Sequence, residues 1–332
     1  MFRVGIVGCG SISAVHARVI HDLEDTTLVA CADIRLERAR TMAEQYDCAA
    51  FGDYLCMLDE VKPDAVHICA PHYLHPDMVR EAAFRGVAVF TEKPPAIDTV
   101  GWETVLRASE LVPVGICFQN RYNPNIVACC EILKSGHYGA LKGIRAFVTW
   151  NRTREYYAAA DWKGKWATEG GGTLINQAIH TLDLTLGFLG TPDVAEATMT
   201  NHRLRGAIEV EDTVEIYLRR GNVPALIYAS NGYSQDAPVL LELHMDEAII
   251  RLEGDRMEVR SGNSIRECAQ ESTAALGRAY WGSGHPACIE DFYRSIKARA
   301  PYANSPAACD VTMRTLLTLY NQCHLTLNGS ES

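Results

Sequence analysis

A chain of 332 residues with 48 % apolar side chains is long enough for two domains, each with its own core. Its 31 basic residues are outnumbered by 41 acidic ones, and the net charge of −10 is the wrong sign for holding nucleic acid or an anionic membrane by bulk charge. Twelve cysteines without a CxxC pair, no apolar run near membrane-spanning length, and an opening "MFRVGIVGCG" that enters a strand directly predict reduced thiols in a cytoplasmic protein with no nucleic-acid or membrane partner.

From the N-terminus, short β-rich apolar runs at 3–7, 28–32, 65–70, 87–91 and 114–118 alternate with helical patterns such as 35–46 and 76–84. That alternation predicts right-handed crossovers and a doubly wound parallel sheet over residues 1–122, with the chemistry at the carboxyl ends of the strands.

The first run leads into "VGIVGCGSISAVHARVI". Gly8 and Gly10 stand at a strand-to-helix junction, Ser11 and Ile12 continue the turn, and Ser13 takes the place of the third glycine of a GxGxxG loop. Such a loop offers bare backbone to a pyrophosphate, which then rests on the first amides of the helix. The second strand ends at Asp33, 25 residues after Gly8, where a carboxylate accepts the ribose hydroxyls of an adenosine and repels a 2′-phosphate. This predicts NAD rather than NADP; Arg35 and Arg38 are the residues that would hold a phosphate in the opposite case, and a helix cap is the other reading of Asp33.

The next strand ends at Ala70 and Pro71, and His72, Tyr73 and His75 crowd the loop that follows. His75 is either close to the cofactor or a packing histidine at a helix start. The strand "VAVFTEKPPAI" then stops at Glu92 and Lys93 before two prolines. Pro94 restricts Lys93 to extended geometry, so the ammonium is held in place, and the positive charge of an oxidised nicotinamide would make it a better partner for a substrate hydroxyl. The alternative is a solvated ion pair in a loop.

Beyond about residue 125 longer strand-like runs follow one another at 143–151, 213–219, 225–231 and 248–252, with turns such as "RGNVP" and "EGDR" between them. They predict a large, mostly antiparallel open sheet in an α/β domain over 123–332, with helices near 125–134, 173–188, 285–298 and 305–323, the last packing back toward the first domain. In "EGGGTLINQAIHTLDLTLGFLG" Asn176 and His180 are four apart and Asp183 three further on, which places them on one face of a helix. No Lys, Glu or Arg occurs from 173 to 190, unlike a solvated surface helix.

Taken together, "GCGSIS", "ADI", "APHYLH", "TEKPP", "QNRYNP" and "GGGTLINQAIHTLD" resemble, in order and spacing, the Gfo/Idh/MocA family of NAD(P)-dependent oxidoreductases, from about Arg3 to "LLTLYNQC". The resemblance implies an N-terminal Rossmann domain and a C-terminal domain that supplies substrate contacts and a homodimer or homotetramer interface. It assigns the pyrophosphate loop to Gly8, Gly10 and Ser13, the ribose carboxylate to Asp33, the lysine of the EKP motif to Lys93 and the catalytic histidine to His180. One departure is Asn176, where many members carry Asp: Asn takes no proton, so Asn176 is cast as a substrate hydrogen-bonding residue.

The implied activity is hydride transfer between the nicotinamide C4 and a hydroxyl-bearing carbon of a sugar, cyclitol or sugar derivative, with His180 moving the hydroxyl proton and Lys93 polarising the same oxygen. The expected nucleotide contacts are Gly8, Gly10, Ser11, Ile12, Asp33, Ala70, Pro71, His75, Glu92 and Lys93, and no metal is expected. Arg121, Tyr122, Trp162, Lys163 and Trp166 join Asn176 and His180 as candidates for the substrate pocket. The rival readings are a glycosidase that uses NAD for transient oxidation, a non-catalytic NAD-sensing regulator, and a dehydrogenase of non-carbohydrate diols.

Overall fold

The computed structural model describes residues 1–268 and 282–329, with side chains of the terminal helix described to Cys323. The chain forms two compact units, Met1–Gln119 with His285–Cys309, and Asn120–Gly284 with Asp310–Ser332. In the first unit β1 (Phe2–Val7), α1 (Ser13–Asp22), β2 (Thr26–Ala32), α2 (Leu36–Tyr46), β3 (Ala49–Phe51), α3 (Tyr54–Val61), β4 (Ala65–Ile68), α4 (His75–Phe84), β5 (Ala88–Thr91), α5 (Thr99–Ala108) and β6 (Val114–Ile116) alternate along the chain. The six strands lie in the order β3-β2-β1-β4-β5-β6, every pair parallel, as a Rossmann sheet requires. Each residue of β4 and β5 is buried, the pattern of strands covered on both faces. Strand order reverses between β1 and β4, so the loops after these two strands are neighbours.

The second unit continues with α6 (Pro124–Ser135), β7 (Leu141–Thr149), α7 (Arg154–Ala158), a π-helical segment Thr173–Ala178 that runs into α8 (Ile179–Leu189), and strands β8 (Val194–Thr200), β9 (Thr213–Arg220), β10 (Val223–Ser230), β11 (Leu240–Met245), β12 (Ile249–Glu253), β13 (Arg256–Ser261) and β14 (Ser264–Cys268). The eight strands are ordered β14-β13-β12-β11-β7-β10-β9-β8, antiparallel except for the parallel pair β7 and β10. The turns predicted at "RGNVP" and "EGDR" are there, each of two residues, with Gly221 at φ +57 and Gly254 at φ +59, the left-handed backbone that a tight hairpin needs. One face of the sheet is packed: Ile144, Ala146 and Val148 of β7 and Ala225, Ile227 and Ala229 of β10 are buried, and α8 lies against these strands. On the other face Leu226 sits opposite Arg145 and Tyr217, and Tyr228 opposite Phe147 and Glu215.

Two segments depart from the expected division of the chain. The helix α9 (His285–Ala298) and the residues to Cys309 belong to the first unit, not to a continuous C-terminal domain: Phe292 packs against Phe90 at 5.2 Å between ring centroids, and Ile116 N–H donates to Asn304 O at 3.0 Å. The terminal helix α10 (Pro306–Gly329) begins in the first unit and is part of the second from Asp310 onward, where Thr312, Tyr320 and Cys323 find their partners. No helix among the described residues is long and apolar enough to cross a membrane.

Candidate active site

In the first unit the loop after β1 has the form a dinucleotide requires. A side chain at Gly8 would meet Cys69 O at 2.6 Å, so the β1 and β4 loops approach as closely as they do only because this residue is glycine, at φ +87. A Cβ at Gly10 would instead meet nothing within 4 Å, and the N-cap residue Ile12 gives α1 no side-chain cap. Ser13 is turned inward, donating to Gly10 O at 2.6 Å. Asp33 stands half-buried after β2, where Oδ2 accepts from Cys9 N–H and Oδ1 from Arg35 N–H, both at 2.8 Å. The carboxylate therefore braces the glycine loop and shapes the entry to α2, whose N-cap residue is Arg35 rather than Asp33. Open backbone at Gly10, uncapped helix amides and a half-buried carboxylate fit the pyrophosphate and adenosine ribose of NAD.

Ala70 and Pro71 are half-buried at the mouth of the β4 loop. His75 is fully buried beneath it, with Nδ1 2.7 Å from Pro94 O and Nε2 2.7 Å from Ala70 O. Both ring nitrogens thus face main-chain carbonyls, and burial lowers the pKa of the ring against the pull of those carbonyls. What His75 contributes is position: it ties the ends of β4 and β5 together.

Lys93 follows β5, half-buried, with a cis peptide to Pro94. Its neighbour Glu92 is 7 % exposed and accepts from His16 Nε2 at 2.9 Å. His16 Nδ1 lies 2.8 Å from His67 Nδ1, and His67 Nε2 2.7 Å from the Tyr293 hydroxyl, a buried line of four polar side chains that sequence reasoning missed. Burial alone would raise the Glu92 carboxyl, but the hydrogen bond and charge of His16, with His285 and Lys93 nearby, bring it well below the usual carboxylate range. Glu92 is therefore an anchored anion that holds the residue next to Lys93. Glu92, His16 and Cys117 bring oxygen, nitrogen and sulfur within 4.8 Å of one another, yet both nitrogens of His16 are already engaged by Glu92 and His67.

In the second unit the helix of Asn176 and His180 is not the uniform α-helix that the spacing suggested. Its first six residues are π-helical, because buried groups enter the start of the helix. Glu211, 3 % exposed, accepts from Gly172 N–H and Leu174 N–H at 2.9 Å each, and the Tyr320 hydroxyl accepts from Ile175 N–H at 3.1 Å while donating to Glu211 at 2.8 Å. Burial raises the pKa of Glu211 despite these donors. The glycine run makes room: a Cβ would meet Tyr320 Oη at 2.2 Å from Gly171 and Glu211 O at 2.0 Å from Gly172.

From Glu169 to Asp183 every residue is buried except Asn176. A solvated surface helix is thereby ruled out. Asn176 Nδ2 donates to Glu169 Oε1 at 2.6 Å, while Glu169 itself is 0 % exposed. His180, 9 % exposed, lies on the first turn of α8. Asp183 is not joined to it: its oxygens accept from Arg121 Nε and from the Thr312 hydroxyl, each at 2.7 Å, so Arg121 is engaged with a buried carboxylate, and Tyr122 beside it is half-buried. Trp162, Lys163 and Trp166 lie on the loop that Glu169 gathers, through Gly164 N–H, against the Asn176 turn. Lys163 Nζ sits 3.6 Å from the centroid of the Tyr156 ring, and the Tyr156 hydroxyl accepts from Gln177.

Residues 2–112 match the model of an oxidoreductase family with an NAD-binding Rossmann fold, GFO/IDH/MocA, and residues 126–251 match a C-terminal domain model of the same family. The chain belongs to the GFO/IDH/MocA family. Among its curated relatives, D-glucoside 3-dehydrogenase of Escherichia coli is 34 % identical over 58 % of this chain, an alignment that spans only 55 % of that enzyme. Inositol 2-dehydrogenase of Rhizobium meliloti is 25 % identical, over 79 % of each chain. The crystal structure of the WlbA dehydrogenase from Bordetella pertussis, in complex with NADH and UDP-GlcNAcA, superposes with a TM-score of 0.84 at 25 % identity, covering 97 % of this chain and 96 % of that one.

As a GFO/IDH/MocA member with Asp33 after its second strand, the protein should bind NAD more tightly than NADP. A 2′-phosphate beside Asp33 would leave charge unpaired at a cost on the order of 2 kcal/mol or more. Calorimetry with both nucleotides checks this, and equal or tighter NADP binding would turn attention to the exposed Arg35 and Arg38.

Proposed function

We propose that this chain is an NAD-dependent dehydrogenase or reductase of a hydroxyl-bearing carbon in a sugar, cyclitol or sugar derivative. The observation that carries the reading is the polar equipment of the second unit's helix start: Asn176, alone in not being buried, is held by Glu169 next to a loop bearing Trp162 and Lys163, and is followed one turn later by His180. Amide, cationic and aromatic groups together suit a polyhydroxylated ring. The related enzymes named for glucosides and inositol act on ring carbinols, which supports the same class here.

NAD, when bound, supplies the acceptor or donor of hydride at its nicotinamide C4. In this reading Lys93, on a loop fixed by His75 and the anchored Glu92, polarises the substrate oxygen. His180 takes the hydroxyl proton on oxidation and returns it on reduction. Asn176 orients a neighbouring hydroxyl. A panel of cyclitols, aldoses, uronates and nucleotide sugars, followed by the absorbance of the reduced nicotinamide, tests the proposal; no turnover of any member would leave the sensor reading, and release of aryl aglycones without added cofactor would leave the glycosidase reading.

All twelve cysteines are free thiols, which supports a reducing, cytoplasmic setting. We further propose that the protein is a homo-oligomer through the open face of the eight-stranded sheet. Leu226 is 56 % and Phe147 40 % exposed there, beside Tyr217 and Tyr228, and two copies related by a two-fold axis would cover them. Light scattering at micromolar concentration should give a dimer or larger, and Leu226→Arg should shift it toward monomer. A strictly monomeric wild-type mass contradicts the interface.

A further inference from the structure

Three residues of the buried line behind Lys93, namely His16, His67 and Tyr293, take no part in the steps above. Glu92 Oε1 lies 2.9 Å from His16 Nε2, His16 Nδ1 2.8 Å from His67 Nδ1, and His67 Nε2 2.7 Å from the Tyr293 hydroxyl. The four side chains come from the residue after β5, from α1, from β4 and from α9, so four separate elements of the first unit converge to build the line. His16 and His67 are fully buried and Tyr293 nearly so. Polar groups withdrawn from water to this degree are costly unless each has a partner, and here each has one.

The hydrogens of the line follow from its geometry. A carboxylate only accepts, so an ionised Glu92 requires hydrogen on His16 Nε2. Between the two facing Nδ1 atoms there is room for one hydrogen. If His67 supplies it, His16 is neutral and the Tyr293 O–H donates to His67 Nε2. If His16 supplies it, His16 is a cation and His67 donates through Nε2 to the Tyr293 oxygen. Both arrangements satisfy the whole line, and both aim His16 Nε2–H at Glu92. Lys93 is the next residue: its backbone N–H donates to Glu92 Oε2 at 3.3 Å, and its charge acts on the Glu92 carboxyl.

We infer that His16, His67 and Tyr293 are positioning residues for Lys93: the line keeps Glu92 charged, and the charge of Glu92 holds the Lys93 ammonium where it meets the substrate oxygen. This rests on the proposed function in one point, that Lys93 acts on that oxygen.

The other groups around Glu92 are weakly suited to the task. Burial pushes up the thiols of Cys69, after β4, and Cys117, after β6, so they carry no charge near neutrality. Burial lowers His67 of β4 and His75 of α4, and it brings His285 of α9 down to about 4. On Glu92 burial acts upward, and the hydrogen bond and charge of His16, with His285 and Lys93, overcome it. A carboxyl so lowered is an anion throughout the range near neutrality; without His16 it should become one only at higher pH.

The decisive substitution is His16→Phe, which keeps a ring beside Phe90 and removes both nitrogens. Carboxyl NMR reads Glu92 without turnover: wild-type Glu92 should remain a carboxylate from about pH 5 to about pH 8, and in His16→Phe it should titrate above the ordinary carboxylate range. For the best substrate of the panel, the ratio of wild-type to His16→Phe kcat should reach about tenfold below the midpoint of that titration, the scale of one charged hydrogen bond, and return toward one above it. Glu92→Gln, neutral at every pH, should keep the tenfold loss throughout, and adding His16→Phe should change little more. Tyr293→Phe should move the Glu92 titration in the same direction by less, since His67 Nε2 then lacks its hydroxyl partner. An unmoved Glu92 signal in His16→Phe overturns the inference, and so does a kcat ratio that is the same at every pH, which would make the line a packing device. Should His16→Phe not fold, wild-type kcat in Glu92→Gln or an unmoved Glu92 signal in Tyr293→Phe overturns it instead. If no sugar is turned over, the proposed function fails, and the NMR titrations still decide whether the line holds the charge of Glu92.

Discussion

Lys93→Met should lower kcat by about 10²-fold or more on the best substrate while leaving NAD affinity nearly unchanged, the usual scale for removing a positioned electrostatic or proton-handling group. The backbone of the loop has supports of its own. Glu92 N–H donates to Ile68 O at 2.9 Å, Glu92 is anchored by His16, and His75 holds Pro94, so the backbone on both sides of Lys93 is fixed by other residues. The adenosine and pyrophosphate contacts proposed for Asp33 and the Gly8–Gly10 turn also lie on other loops. Steady-state kinetics and calorimetric NAD titration of the variant separate three roles. Wild-type turnover reduces "TEKPP" to a structural turn, loss of NAD binding makes Lys93 a cofactor clamp, and only a fall in kcat at constant NAD affinity supports a group that acts on the substrate oxygen.

The halves of the molecule were legible to different degrees, for reasons that differ in kind. The parallel sheet was readable because strands such as β4 and β5, buried on both faces, are mostly apolar, and because a glycine that admits no Cβ and a carboxylate at the next strand end are local requirements of one ligand. β3 escaped because "AAF" is too short to show a period, and β14 because "SIREC" is almost wholly exposed. The return of α9 to the Rossmann unit depends on rings that meet Phe90 across about two hundred positions of sequence, which no local pattern announces. The π-helical start of the Asn176 helix was likewise hidden. It results from Glu211 and Tyr320, whose partners in the segment are 37 and 145 positions away. Local rules reached the residues proposed to touch ligands. The buried carboxylates that orient them needed the fold.

His180→Ala should lower kcat by about 10²-fold, and combining it with Lys93→Met should cost little more than either change alone. His180 is nearly buried on the first turn of α8, between a π-helical segment fixed by Glu211 and Tyr320 and a turn fixed by Asp183 with Arg121 and Thr312, so removing the imidazole leaves its surroundings supported. The loss therefore measures chemistry more than folding, and a thermal melt close to wild type checks that. Asp183 is taken up by Arg121 and Thr312, and in this proposed site His180 is the imidazole that carries the proton. If Lys93 and His180 serve one oxygen, neither retains its full value without the other, and their free-energy costs do not add. A double variant whose kcat falls by the product of the two single effects would mean that the residues act in separate steps, and a single His180→Ala variant with wild-type kcat would move the proton to another group.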